Sequence, residues 1–520
     1  MSHDDTVTKF TKIPRRVWLL ALAFAALTTL PYLVALFSAP HGTTFSGVFP
    51  LNAVDYNSHL AKMQQGMQGA WLYQLLFTAE PHPPILLQTF YIALGHLARW
   101  TGLSLDLVYH LSRIVFSALL VPSIWIVMRR FLSESLAWWA LLLSLFSGGL
   151  SWLLLFINPA ITGQISPIEF WLLDAYTFLA AFVSPHFAAG MVLLALAFAA
   201  LDDWTETGAG RSLIGLFLAG IGIALLQPFH LLLLDTTLVL VAVWRMWHKR
   251  LVWWQGIVGL TLIGVSHAAL VGYDLLMFQQ PIWRSFSEQN ITLSPPPIFY
   301  VLGYAPILLP AVGGIGLALR RRDERWLVPA LWVLLVSVLV YAPLATQRRF
   351  TLGIQIPLAM LATYALSNMA TFLARRRIKR SGLLRLLYGA LAMMSTLLVL
   401  FWLLGTTRNT QNHDLYIPDE TRVAWQWITD NTAPNSLFLS AFGSGGGIAG
   451  RTGRHVVLGH WIETAYYLDK QSAVQKFFSA ETDISWRLAF LKDQRVDYIW
   501  YSDQERTLGN FDPNSLPVLQ

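Results

Sequence analysis

The feature that most constrains the fold is a series of apolar stretches, each about 20 residues long, between Val17 and Leu404. A bilayer core of about 30 Å needs roughly 20 apolar residues per spanning helix, so these stretches predict a mainly α, polytopic membrane bundle. Composition agrees, because 55% of the residues are hydrophobic and only 12% are charged, against about a quarter charged in soluble proteins. Polar residues return from Arg408 onward. We therefore predict a transmembrane domain over 1–404 and a small extracytoplasmic α/β domain over 405–520.

Basic clusters at the ends of these stretches set the predicted topology, because Arg and Lys beside short loops mark the cytoplasmic side. With the clusters inside, the chain crosses about 11 times, with its N-terminus in and its C-terminus out. The first stretch resembles an export signal, and we expect it to remain as an anchor because it is long enough to span. The clusters are Arg15-Arg16, Arg129-Arg130, Arg211, Lys249-Arg250, 320–325 and 375–380. The predicted spans are 17–37, 105–128, 135–156, 186–201, 213–226, 229–244, 253–278, 298–319, 326–343, 350–373 and 383–404.

The net charge and the lack of cysteine limit the binding partners and the chemistry that this chain can have. The net charge of +7 is explained by the topology clusters, so membrane lipid is an expected partner and nucleic acid is not. The sequence has no cysteine, which excludes disulfides, thiolate catalysis and cysteine metal sites.

The first outer loop, 38–104, is longer than a connection needs, and such loops are usually functional or disordered. Its sequence predicts two surface helices, over 56–63 and from Pro83 to Trp100. Asp55 and His59 then lie one turn apart on one helical face. They form either a base with its orienting partner, a joint metal site, or a capping aspartate beside an exposed histidine.

The second outer loop, 157–184, contains Glu169 and Asp174 in an apolar setting. A carboxylate held against an apolar leaflet is expensive unless a cation accompanies it. These two residues therefore either have a cation or a metal ion beside them or reach water.

Arg348 and Arg349 fall between two predicted spans on the outer side, where the charge rule predicts few basic residues. They either bind an anion, such as the phosphate of a lipid carrier, or lie in the lipid head groups. Other candidate substrate-binding residues on this face are Glu80, His82, His186, His230 and Arg284.

The tail alternates between predicted helices and strands, which indicates a small α/β domain. The predicted helices are 418–429, 464–478 and 485–492, and the predicted strands are 436–440, 456–458 and 496–501. We interpret the glycine-rich segment Phe442–Gly447 as a flexible turn, with an anion-binding loop as the alternative. Arg454, His460 and Glu463 surround one strand end. They form either a ligand-facing edge or a polar connection into the next helix.

With these elements in place, the chain resembles the GT-C superfamily of membrane glycosyltransferases, which includes oligosaccharyltransferase catalytic subunits, protein O-mannosyltransferases and aminoarabinose transferases. Its members carry an acidic residue in a long first outer loop, which corresponds here to Asp55 in Val54-Asp55-Tyr56-Asn57. The segment 450–456 is similar to a Gly-Arg-x-Val strand that faces the active site in relatives. The chain lacks Trp-Trp-Asp-Tyr-Gly and has no Asp-x-Asp in the second loop, which argues against transfer to asparagine.

The resemblance implies transfer of a hexose or pentose from a polyprenyl-phosphate donor to an extracytoplasmic acceptor at the plasma membrane, with inversion. Asp55 would deprotonate the acceptor, and Arg348 and Arg349 would stabilise the phosphate. A divalent cation, Mg or Mn, would be held by Asp55 with Glu169 or Asp174. The alternatives are a transporter or flippase for a lipid-linked substrate, or a non-catalytic membrane assembly protein.

Overall fold

A computed structural model describes residues 13–157, 167–375 and 381–516. Part of the second outer loop and most of the basic cluster at 375–380 lie outside the described residues. The helices up to the tail are α1 (Arg15–Phe37), α2 (Ala53–Gln68), α3 (Thr89–Thr101), α4 (Leu105–Phe131), α5 (Glu134–Phe146), α6 (Leu154–Ile157), α7 (Thr177–Val183), α8 (Pro185–Thr207), α9 (Gly210–Leu226), α10 (His230–Trp247), α11 (Trp253–Met277), α12 (Pro281–Gln289), α13 (Pro297–Arg321), α14 (Leu327–Leu339), α15 (Gln355–Arg375) and α16 (Ser381–Thr406).

The polytopic helical fold is confirmed. Among the described residues, 8 helices are long and apolar enough to cross a membrane, namely α1, α4, α8, α10, α11, α13, α15 and α16. The other three predicted spans are occupied by shorter helices of 13, 17 and 13 residues, which are α5, α9 and α14. The span predicted over 135–156 ends early, at Phe146. Its helix stops because the backbone after it bonds to other helices, as in the bond from Gly148 N–H to the Ala392 carbonyl.

Three of the basic clusters predicted to be cytoplasmic, those at Arg129-Arg130, Lys249-Arg250 and 320–325, are linked by ion pairs. Arg130 and Arg245 both form ion pairs with Asp202, at 2.9 and 2.7 Å. Arg250 pairs with Glu324 at 2.9 Å and so joins two of the clusters. The opposite end of the bundle carries the outer loops and the tail.

Both outer loops contain more helix than predicted. The first loop holds α2 and α3 as expected, but α2 extends well beyond the predicted 56–63. The second loop contains α7, a helix that we did not predict, and all seven of its residues are buried. This part of the loop therefore packs inside the bundle instead of lying in water.

The tail, defined here as residues 405–516, is the predicted α/β unit. Its helices are α17 (Asp419–Asn431), α18 (Phe442–Thr452), α19 (Tyr467–Phe478), α20 (Ile484–Gln494) and α21 (Asp503–Gly509). The strands of the chain are β1 (Thr43–Phe45), β2 (Tyr416–Pro418), β3 (Leu437–Leu439), β4 (His455–Val456) and β5 (Tyr498–Ile499). The order β4-β3-β5 forms a parallel sheet, and β2 pairs antiparallel with β1 of the first outer loop. The tail is thus joined to that loop by backbone hydrogen bonds.

The glycine-rich segment is not a turn, as we had interpreted it, but the start of helix α18. Two glycines of α18, Gly445 within the segment and Gly450 beyond it, serve close packing against other backbones. A Cβ atom on Gly450 would lie 2.7 Å from the carbonyl oxygen of Asn57, closer than side chains approach. Because Gly450 has no side chain, α18 lies directly against α2, and the tail is docked on the helix that carries Asp55.

Candidate active site

One cavity of about 390 Å³ opens between the first outer loop, the second outer loop and the tail. We call it the outer cavity, and its volume falls in the range of small-molecule sites, about 300–1,000 Å³. Seven of the predicted site residues line it. They are Asp55, His59, Asp174, His186, Arg348, Arg349 and His460.

Asp55 lies in the first turn of α2 and keeps 45% of its side-chain surface accessible. Its Oδ1 is 3.3 Å from Nε2 of His460 in the tail. Burial raises the pKa of Asp55, but the hydrogen bond from His460 and the positive charges of Arg349 and Lys62 outweigh that effect and hold the pKa below its ordinary value. Asp55 is therefore a carboxylate at neutral pH and can accept a proton.

His59 and Asp55 both line the cavity, but they do not form the pair that their spacing suggested. The carboxylate of Asp55 is bonded by His460, whereas His59 stacks on the ring of Tyr91 with 4.0 Å between centroids. Burial, first of all, and the charge of Lys62 hold the pKa of His59 well below its ordinary value. Neither of its ring nitrogens has a hydrogen-bond partner in the described part of the chain. His59 is thus a neutral imidazole with a donor and an acceptor free for a ligand.

His186 begins helix α8 on the other side of His59. Its Nδ1 lies 2.6 Å from the hydroxyl of Tyr91, and its ring meets that of His59 edge to face at 5.2 Å. The two histidines form one polar wall of the cavity, and the buried Tyr91 contacts both of them from behind.

Arg348 and Arg349 lie in a short 3-10 helix between α14 and α15. Arg349 donates to Oδ1 of Asn290 at 3.0 Å. The guanidinium of Arg348 lies 5.5 Å from the ring centre of Trp171. Within the described ranges its N–H groups have no hydrogen-bond partner on the protein. Because a guanidinium has five N–H donors, both arginines have donors left for an anion.

Asp174 shares the cavity with Asp55 and lies in the field of the same arginines. Burial raises its pKa, and the charges of Arg349 and Arg348 lower it in part. Glu169 lies outside the cavity, where its carboxylate accepts from Trp152 N–H at 3.2 Å. No group of three or more potential ligands is placed to hold a metal ion among residues 13–157, 167–375 and 381–516. Four carboxylates line the cavity, those of Asp55, Asp174, Asp274 and Glu463. Of these, Asp55 and Asp174 both lie in the electrostatic field of Arg349.

Three of the candidate substrate-binding residues lie outside the cavity because they are bonded elsewhere. Glu80 forms an ion pair with Lys470 at 2.6 Å. The ring of His82 is held by the backbone, between Leu75 N–H and the Glu80 carbonyl. Arg284 is exposed and pairs with Glu288 one turn further along α12.

The other two candidates are buried in the protein. His230 packs against Phe229 and Phe350 and does not line the cavity. Arg454 donates to the backbone carbonyls of Thr429, Thr432 and Thr452 and so joins the ends of α17 and α18. The neighbouring Arg451, in the segment that resembles a Gly-Arg-x-Val strand, pairs with Asp106 at 2.7 Å instead of facing the cavity.

Lys62 and Glu463 also line the cavity, and the contact between them is not predicted from the sequence. They form an ion pair of 2.7 Å with only 3% and 4% of their side-chain surfaces accessible. Glu463 also accepts hydrogen bonds from Ser58, at 2.5 Å, and from Tyr73. Burial raises the pKa of Glu463, but Lys62, His460 and the hydrogen bond from Ser58 hold it below its usual range. The signal in the sequence was the face shared by Asp55, Ser58 and Lys62 on α2.

One wall of the outer cavity is apolar and was not predicted. It consists of the last turn of α9 and the facing parts of α11 and α12, with Ala224, Leu225, Leu226, Leu270, Phe278 and Phe286. Both α9 and α11 are apolar helices, and α11 is long enough to cross a membrane; its Tyr273 and Asp274 are the polar residues of this side of the cavity.

No family model and no curated protein matches the sequence. Among solved structures, the chain is similar to the archaeal oligosaccharyltransferase AglB from Archaeoglobus fulgidus in complex with an inhibitory peptide and a dolichol-phosphate, with a TM-score of 0.55 and 14% identity over 93% of this chain and 69% of that one. A second A. fulgidus oligosaccharyltransferase structure, with zinc and sulfate, gives 0.54 and 13% over 93% and 67%. ArnT from Cupriavidus metallidurans bound to undecaprenyl phosphate gives 0.51 and 14% over 89% and 91%.

These neighbours are GT-C membrane glycosyltransferases. At such low identity the likeness concerns the fold alone. The chain has the GT-C fold that its sequence resemblance implied, and it is a multi-pass membrane protein.

Proposed function

We propose that this protein is an inverting membrane glycosyltransferase that moves a sugar from a polyprenyl-phosphate donor to an acceptor on the extracytoplasmic side of the plasma membrane. The observation that carries the proposal is the outer cavity. It combines the accessible carboxylate of Asp55, two arginines with free donors and an apolar wall formed by two apolar helices. The solved neighbours with dolichol-phosphate and undecaprenyl phosphate support the same class of donor.

The chemistry follows from the charges in the cavity. Asp55 takes the proton of the acceptor hydroxyl while that oxygen attacks the anomeric carbon. The bond between this carbon and the phosphate oxygen breaks, and polyprenyl phosphate leaves with the bonding electron pair. Arg348 and Arg349 stabilise the negative charge that develops on the phosphate. A single displacement of this kind inverts the anomeric configuration.

The remaining walls fit the rest of the substrate. His59 and His186 are placed to hydrogen-bond sugar hydroxyls, and the apolar wall of α9 and α11 fits the first isoprene units. A divalent cation would be held by Asp55 and Asp174. Two carboxylates near Arg349 are a poor set for such an ion, so we derive no step through a metal.

The test is transfer by the purified protein from radiolabelled undecaprenyl-phosphate hexoses and pentoses, with membrane extract as the source of acceptors. We expect labelled product from the wild type and none from D55N, while both bind the donor. D503N, which changes an exposed aspartate on α21, is the matched control and should behave as wild type. Wild-type turnover by D55N would remove Asp55 from the mechanism. Donor binding by the wild type without any product would favour a transporter or flippase instead.

A further inference from the structure

The tail contributes a side chain to the carboxylate on which the proposed reaction depends. His460 and Asp55 are separated by 405 residues in the sequence, yet Nε2 of His460 lies 3.3 Å from Oδ1 of Asp55. The histidine is held in the protein, with only 3% of its side-chain surface accessible. Asp55, by contrast, is open to the cavity.

The tautomer of His460 follows from its other nitrogen. Nδ1 accepts hydrogen bonds from the backbone N–H groups of Ile462, at 3.2 Å, and Glu463, at 3.3 Å. A ring nitrogen that accepts from N–H groups carries no proton, so the proton lies on Nε2. His460 therefore donates to Asp55 and does not compete with it for the proton of the acceptor.

The loop that carries His460 is fixed at both ends. The N–H groups of Gly459 and His460 both donate to Oγ1 of Thr464 at 3.3 Å. Glu463 is anchored to Lys62 of α2, the helix on which Asp55 lies. The donor and the carboxylate are thus attached to one rigid unit.

We propose that His460 is a positioning residue, which binds one oxygen of Asp55 and leaves the other directed at the acceptor hydroxyl. This inference rests on the proposed function, in which Asp55 is the base. It means that the tail completes the active site instead of merely covering it. A misplacement of a reacting group by about 1 Å can cost on the order of 100-fold in rate, so we expect the hydrogen bond to matter for kcat.

Two substitutions separate this role from a structural one, because each keeps a different half of the imidazole. The amide of Gln reaches the position of Nε2, so H460Q keeps a donor to Asp55. The amide of Asn reaches only the position of Nδ1. H460N therefore keeps an acceptor for the backbone N–H groups but loses the hydrogen bond to Asp55. If His460 positions Asp55, H460Q should be the more active variant. If His460 only stabilises its own loop, H460N should be the more active variant.

The expected result for H460N is a fall in kcat of about 10- to 100-fold with little change in KM for the donor. The pH profile provides the second readout. The other charged and titratable groups of the cavity all remain in the variants, and so do Tyr91 and Tyr109, which interact with Asp55 from behind the wall. The cavity groups are His59, Lys62, Asp174, His186, Tyr273, Asp274, Arg348, Arg349 and Glu463. Loss of the His460 bond raises the pKa of Asp55, so the acid limb of kcat/KM should move to higher pH in H460N and stay in place in H460Q.

H455Q, which changes a histidine on β4 outside the cavity, is the matched control, and donor binding reports whether each variant is folded. Lower activity in H460Q than in H460N, or a similar loss in both with an unmoved acid limb, would overturn the proposal, and so would wild-type kinetics in H460N. If H460N does not fold, H460Q decides alone. If H460Q keeps its kcat and the acid limb of its pH profile stays in place, the positioning role is supported. If H460Q loses kcat, the positioning role is overturned. Turnover by D55N, measured alongside, marks failure of the proposed function itself.

Discussion

The ion pair between Lys62 and Glu463 should hold the tail on the membrane domain, and its strength can be measured. The two side chains come from α2 and from the tail, and both are almost completely buried. E463Q is the informative change, because glutamine keeps the size and most of the hydrogen bonds of Glu463 to Ser58 and Tyr73. What it removes is the charge that neutralises Lys62.

The expected loss is large. Removing one partner of a buried ion pair costs about 3–5 kcal/mol, because the other charge stays buried without compensation. K62M alone should cost a similar amount, since it leaves the Glu463 carboxylate without a cation. The double variant K62M/E463Q contains neither charge, so it should be more stable than either single variant. R506Q breaks an exposed pair on α21 and should cost no more than about 1 kcal/mol.

The assay is unfolding of the purified protein in mild detergent, followed by tryptophan fluorescence at several pH values. The pKa of Glu463 lies below its unfolded value of 4.5, so its contribution is complete above about pH 4.5 and is lost as the pH falls through the lower folded value. E463Q should lack this acid dependence. If E463Q is as stable as R506Q, or if the two single losses simply add in the double variant, the pair does not hold the tail.

Three further outcomes follow from the cavity and the docking helix. R349Q should raise KM for the polyprenyl-phosphate donor by about 10- to 100-fold, the equivalent of a charge-assisted hydrogen bond of about 1.5–3 kcal/mol, whereas R506Q should leave it unchanged in the same transfer assay. Replacement of Gly450 by alanine should destabilise the tail by about 1–3 kcal/mol, because the new Cβ would meet the Asn57 carbonyl, and faster proteolytic release of the tail would show it. In the wild type, the pKa of Asp55 lies below its ordinary value, so transfer should hold as the pH is lowered to that ordinary value and decline only below it.

Much of the fold was predictable because the requirements of a lipid environment apply to each short stretch of sequence separately. A spanning helix must satisfy its own backbone and present apolar residues for about 20 positions, so the long spans could be read directly. The same rule gave a wrong helix end for the span predicted over 135–156. The apolar residues continue there, but the backbone leaves the helix after Phe146 and bonds to α16. The rule also does not detect α7, because an apolar helix of seven residues is too short to span a membrane.

The site was predictable only in part, for a related physical reason. Asp55 and the two arginines could be named because each breaks a local expectation, a carboxylate in a long loop and basic residues on the outer side. The partner of Asp55 could not be named, since the i+4 neighbour His59 satisfies the helical rule as well as any orienting group would. His460 replaces it through tertiary contact alone: α18 reaches α2 because Gly450 has no side chain, and Glu463 then fixes the loop. Residues that sequence placed in the site but structure places outside, such as Glu80 and Arg454, found partners within the protein. A charged residue of this chain is therefore a candidate for ligand binding only when the fold leaves some of its hydrogen-bond donors or acceptors without a partner.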